Sequence, residues 1–323
     1  MEVNPAESPD PKGVVPHLSF GDAWHEYPKH RWFTGTAWHY TSVEGCFGIA
    51  RNHELWASSA AMLNDAGEMS YGVARVQDVG SRWSAPAGSD PAASELLQRA
   101  IENLEDSMIE NAPFVLSAST SPFLLNQWAN YGDSSGCAVG LDALSLLHDA
   151  DRSGGPSPRQ ALPLWLEVVY EREDQDAYIR ELLDELVSQD KLISQAIRHD
   201  HEPASLLEQN LSMLVAALKH PAFRAESEVR VVVMKQESTT THYRPTARGI
   251  VPFVKLHGTI SDPEKGLQAA IAGTSPLPLP ITAVHVGPPQ GDSERRRVAS
   301  MREFLRSRGY DVEVDGAGIP YLP

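Results

Sequence analysis

Five groups of residues have types and spacings that could do chemistry. His39-Tyr40-Thr41-Ser42 closes a strand-like run, TAWHYT (36–41). On local evidence, a histidine beside an aromatic on a strand packs with one hydrogen bond as readily as it holds a ligand. Ser117, Ser119, Thr120 and Ser121 cluster at the end of FVLSAS (114–119), with Gln127, Trp128, Tyr131 and Gly136 following. Hydroxyls at a strand end can bind a ligand amide or a ribose, or satisfy local backbone groups. Glu226-Ser227-Glu228-Val229-Arg230 places three charges at alternate positions, so on a strand they share one face. That face is either solvated and salt-bridged or catalytic. LNDAGE (63–68) reads as a helix N-cap, with Glu68 near the third position of a capping box. His199-Asp200-His201 lies in a polar break and reads as a solvated turn.

These groups need elements to carry them. Strand-like segments, rich in β-branched and aromatic residues, fall at 36–41, 114–119, 136–142, 164–170, 228–233, 250–256, 281–287 and 310–314. Asp90-Pro91 starts a helix continued by Leu97, Ile101 and Leu104. Further amphipathic faces run from Ile179 to Ile197 and from Leu207 to Leu218. A last helix begins near Ser293 and stops at Gly309. Strands and helices mix without regular β-α-β alternation, which favours α+β over a doubly wound parallel sheet.

Residues 1–34 read as a flexible N-terminal tail, because Pro5, Pro9, Pro11 and Pro16 prevent regular structure. Residues 35–323 read as a single α+β domain with a helical insertion at about 174–219. The 323 residues carry 27 basic and 43 acidic side chains, net −16, which argues against bulk nucleic-acid binding but not against a local basic site. Cys46 and Cys137 form no metal-binding or disulfide spacing. No apolar run approaches the roughly 18 residues of a membrane span, and the acidic, proline-rich start lacks the features of a signal peptide. The expectation is a cytoplasmic protein away from membranes. Rossmann and P-loop glycine motifs and a zinc-protease helix motif are absent.

HYTS (39–42), LWAS (55–58), LNDAGE (63–68), SAS (117–119), W-x-x-Y-x-x-x-x-G (128–136), ESEVR (226–230), VGPP (286–289) and GIPY (318–321) occur in this order. Together they resemble a widespread bacterial domain-of-unknown-function family. A more distant resemblance is to ADP-ribosyltransferases. These bind NAD in the cleft of a split, mainly antiparallel sheet, without a Rossmann loop. Their signature sets a His or Arg on an early strand, a Ser-Thr-Ser or Tyr on a middle one, and an E-x-E opening a later one. His39, then Ser119-Thr120-Ser121 or Tyr131, then Glu226-Ser227-Glu228 follow that order here.

The resemblance implies a split-sheet α+β fold with helical insertions, and NAD as substrate rather than resident cofactor. Glu228 would stabilise the charge that develops on the ribose, and Glu226 would activate the acceptor. His39, with Tyr40 and Thr41, would hold the dinucleotide. Ser119 would bond the carboxamide or orient Glu228. Trp128 or Tyr131 would stack on nicotinamide. Arg230 would meet the pyrophosphate, or only Glu226. The implied acceptor is a protein or a nucleic acid, the role a toxin or anti-phage effector, and no metal is called for. Two other functions fit the residues: a non-enzymatic binding or regulatory module, and a metal-dependent nucleic-acid hydrolase using Asp65, Glu68, Glu226 and Glu228.

Overall fold

The computed structural model describes residues 30–62, 67–132, 135–145, 147–149, 164–199, 202–235, 239–247, 249–258, 277–287 and 293–319. Eleven strands among them form one sheet: β1 Thr36–Thr41, β2 Leu55–Ser59, β3 Phe114–Ser119, β4 Cys137–Asp142, β5 Leu147–Asp149, β6 Trp165–Glu167, β7 Glu228–Val233, β8 His242–Thr246, β9 Gly249–Gly258, β10 Ile281–Val286 and β11 Glu313–Gly316. The helices are α1 Val43–Asn52, α2 Gly67–Ser81, α3 Pro91–Glu102, α4 Leu104–Glu110, α5 Leu125–Gln127, α6 Arg172–Leu186, α7 Leu192–Arg198, α8 Pro203–Ala216 and α9 Ser293–Ser307. Every strand pairing is antiparallel except that of β10 with β11.

The sheet forks at β3. One edge of β3 pairs with β7 along its whole length, from Phe114↔Val233 to Ser119↔Glu228. The other edge is shared between two strands. β2 takes Phe114 and Val115, and β1 takes Ser119 through Trp38. Leu116, Ser117 and Ala118 have neither strand as partner on that side. Past this point β1 runs on with β4, β10 and β11, while β2 runs on with β9. The helix α1 joins the end of β1 to the start of β2, so it spans the fork. Ser42 caps α1 by accepting from the Gly45 N–H at 3.1 Å.

Two cores hold this frame. The first lies under α1 and α9, where Cys46, Ile49 and Leu305 meet Val139, Val229, Val254 and Val284 of the sheet. The second is helical and joins α2, α3, α4, α6, α7 and α8 through residues such as Val76, Leu97, Ile179, Leu183, Leu211 and Leu214. Met213 and Ala216 then seat α8 on Leu166 and Val232 of β6 and β7. The helices at 174–219 pack with α2–α4 into a shared layer. The Ile179-to-Ile197 face belongs to two helices, α6 and α7.

Residues 30–34, read from the sequence as part of the tail, lie against the body: His30 is buried against Tyr178 and Asn210, and Phe33 N–H donates to the Trp165 carbonyl at 2.8 Å. Residues 1–29 lie outside the described residues. The Asp90 cap forms as expected, donated to by the Ala92 and Ala93 N–H groups. The N-cap expected at Asn64-Asp65 also lies outside the described residues, and Glu68 is engaged elsewhere.

Candidate functional site

A cavity of about 580 Å³ fills the fork. That is within the range of small-molecule sites. Its floor is β3 from Val115 to Ser119, with the stretch that lacks a strand partner on that side, Leu116 to Ala118, in the middle. β1 (Trp38 to Thr41), α1, and Trp56 and Ser58 of β2 form its walls, with Glu68, Lys219, Glu226 and Glu228 at one side and Arg244 at another.

His39 crosses the fork. Its Nδ1 lies 2.9 Å from the Ser117 carbonyl, which can only accept, so Nδ1 carries the hydrogen. The neutral ring then has Nε2 as an acceptor. Burial lowers the His39 pKa most; the Ser117 bond opposes this and the charge of Arg244 adds to it.

The carboxylates come from three places. Glu228 opens β7, opposite Ser119 of β3. Glu226 is not on that strand, contrary to the shared-face expectation. It ends a tight helical turn, Pro221–Glu226, and Ser227 follows in the left-handed region at φ 44°. That reversal lets both glutamates reach one ammonium: Lys219 Nζ lies 2.6 Å from Glu226 Oε2 and 2.8 Å from Glu228 Oε2. Glu68, at the start of α2, is the third carboxylate on Lys219, at 2.7 Å. Arg230 lies behind Glu228. Its Nε and Nη2 each donate to Glu228 at 2.8 Å, Nη2 also reaches Glu68 at 2.6 Å, and Nη1 caps the Ala216 carbonyl of α8.

This network keeps Glu228 ionised. Burial opposes ionisation, but Arg230 and then Lys219 outweigh it and bring its pKa down to about 2. Lys219 and Arg230 are raised in turn, each against its own burial, chiefly by Glu228. A carboxylate has about four acceptor positions. Arg230 Nε uses one on Oε1, and Arg230 Nη2 and Lys219 use two on Oε2. One position on Oε1 remains for a ligand hydroxyl.

The other expected residues divide. Ser119 (1% exposed), Thr41, Tyr131 and Tyr40 line the same cavity as His39, Glu226 and Glu228. The Tyr40 hydroxyl is committed, however. It donates to the Ser121 carbonyl at 2.8 Å and accepts from the Leu124 N–H at 3.0 Å, and burial pushes its pKa up to about 12. It holds the segment after β3 in place. Trp128 cannot stack on a ligand here. It is 0% exposed, its indole donates to the Pro122 carbonyl, and its ring packs edge-on against Tyr40. Tyr131, three residues on and 39% exposed, lines the cavity together with Trp38 and Trp56. Arg230 meets Glu228 and Glu68 instead of Glu226 and is not among the lining residues.

Sequence reasoning missed Lys219, the role of Glu68, and Arg244. Three of the four carboxylates proposed for a metal, Glu68, Glu226 and Glu228, surround the Lys219 ammonium, which takes the position a shared cation would occupy. Among the described residues no group of three or more His, Cys, Asp or Glu is arranged to hold a metal ion; Asp65 lies outside them. Among the same residues no helix is long and apolar enough to cross a membrane.

Residues 127–231 match the family described as Protein of unknown function (DUF2971). The match begins at Gln127 and ends just past Arg230, so it takes in Tyr131, Lys219, Glu226 and Glu228 but not His39. No curated protein and no solved structure matches the chain.

Proposed function

We propose that this chain is an NAD-dependent ADP-ribosyltransferase, with NAD lying as substrate in the fork between β1 and β2. One observation carries the reading: His39 of β1, Ser119 of β3 and Glu228 of β7 are far apart in sequence and line a single ligand-sized cavity at the split of the sheet. The chemistry follows from that convergence. The bond between ribose C1′ and nicotinamide nitrogen breaks, and its electron pair leaves with nicotinamide. Positive charge develops at C1′. Glu228, ionised and held rigid by Arg230, stabilises that charge and takes the ribose hydroxyl on its remaining Oε1 position. The acceptor attacks C1′ and gives its proton to Glu226, the more exposed of the two glutamates. His39 accepts a hydroxyl or amide hydrogen at Nε2, and Tyr131 faces the ring.

A second reading, a binding module without catalysis, is favoured by the three hydrogen bonds that Glu228 already accepts. NAD labelled in its adenylate half separates the two in a cell extract. Transfer of label to a protein or nucleic acid, or its appearance as free ADP-ribose, supports the enzyme. Label that stays in intact NAD supports the module.

A further inference from the structure

Arg244, a half-buried residue lining the cavity, differs from the buried cations Lys219 and Arg230. Lys219 has three carboxylates around it and Arg230 has two. Arg244, on β8, has none among the described residues. Its Nη2 donates to the Ser58 hydroxyl at 2.9 Å, and its guanidinium lies over the Trp56 ring at 5.6 Å. Its Nε is buried and makes no hydrogen bond. Glu54, just before β2, also lines the cavity, but it is paired with Lys255 at 3.2 Å. The guanidinium is half-buried with no carboxylate beside it among the described residues, and its charge is felt at His39, which lines the same cavity.

A partly desolvated cation with a buried orphan donor is better held when a ligand brings the anion. We propose that Arg244 and Ser58 form an anion subsite that takes a phosphate group of the cavity's ligand. Arg244 presents the planar fork that fits phosphate oxygens in pairs. The Trp56 face fixes the plane of that fork, and the Ser58 hydroxyl is free to turn and donate. For the identity of the ligand this rests on the NAD reading. The diphosphate then sits toward β2 and β8, and the nicotinamide ribose reaches toward Glu228.

The test is calorimetric titration of the full chain with ADP, inorganic pyrophosphate and adenosine, for wild type, Arg244→Gln and Arg244→Lys. ADP and pyrophosphate are expected to bind Arg244→Gln roughly tenfold or more weakly than wild type, as loss of a charge-assisted bond implies. Arg244→Lys falls between, and adenosine does not distinguish the three. Without ligand, Arg244→Gln melts at the same temperature as wild type or higher, because an uncompensated charge has gone. Equal ADP affinity in wild type and Arg244→Gln overturns the subsite, as does a weakening shared equally by adenosine. The two proposals fail separately. Arg244-dependent ADP binding without NAD cleavage keeps the subsite and rejects the transferase. NAD cleavage with the same KM in Arg244→Gln does the reverse.

Discussion

His39 donates from Nδ1 to the carbonyl of Ser117 across 2.9 Å, in the gap where β1 and β3 have parted. The histidine satisfies a backbone acceptor that the fork deprives of a strand partner. It is also set as the tautomer with Nε2 free of hydrogen. Nitrogen-15 NMR is expected to show the Nδ1–H form at neutral pH, with titration below the usual histidine range. A protonated ring at pH 7 contradicts this. His39→Leu leaves the carbonyl unpaired and costs about 1–3 kcal/mol of stability by denaturant unfolding.

The charge network predicts a ranking of variants. Arg230 is 1% exposed and holds both Glu228 oxygens, so Arg230→Met strands buried carboxylates and destabilises by about 3–5 kcal/mol. Glu228→Gln has the same sign and a smaller size, because the amide oxygen still accepts. Glu226 is 15% exposed and its carboxylate bonds, among the described residues, only Lys219, which has two other carboxylates. Glu226→Gln therefore stays within about 1 kcal/mol. Equal losses from Arg230→Met and Glu226→Gln would show that the network is not organised around Glu228.

Acid acts in two windows. The folded pKa of Glu228 is depressed from 4.5 to about 2, so its stabilisation is present above 4.5 and lost as pH falls toward 2. His30 is lowered from 6.5 to about 4 by burial, partly offset by Asn210. Its folded form resists protonation, so stability is full above pH 6.5 and falls between 6.5 and 4, by about 3 kcal/mol. Unfolding free energy measured from pH 8 to 3 is expected to decline first in the upper window. His30→Gln should flatten that part and leave the lower window intact. Because Glu228 stays ionised through pH 4–8, an acid limb in the activity within that range is predicted to belong to another group.

Ser227 is the hinge between the two site glutamates. Its φ of 44° costs a residue with a Cβ about 1–2 kcal/mol, a strain glycine does not carry. Ser227→Gly is expected to keep or raise the melting temperature and to preserve NAD turnover. Ser227→Val is expected to lower both, since a branched side chain resists this conformation and moves Glu226 off Lys219. Equal behaviour of the two variants would remove the hinge from the account.

The parts of this structure legible in the sequence are those set by local pattern. β1, β3 and β7 have the expected limits because β-branched and aromatic runs are bounded there by polar or turn residues. The Asp90 cap and Gly309, at φ 86°, are local signals too. α1 carries Gly45 and Gly48, poor helix formers, and did not stand out. Gly45 is there because the Thr41 hydroxyl occupies the place its Cβ would take. Likewise the glycine closing W-x-x-Y-x-x-x-x-G, Gly136, leaves no room beside the Gly132 and Thr41 carbonyls. The partners of Glu228 were beyond local reading. Glu68 meets Arg230 from 162 positions away, and no spacing rule links them to Lys219, just past the end of α8. The alternation of ESEVR misled in one respect, because Ser227 breaks the strand between its two glutamates.

The most direct test is nicotinamide release from labelled NAD by wild type and by Glu228→Gln, with both shown to be folded by thermal melting. The account predicts steady release by wild type and a loss of roughly 100-fold or more in the variant, the size expected when a preorganised electrostatic group is removed. No release by wild type, or equal release by the folded variant, would contradict it.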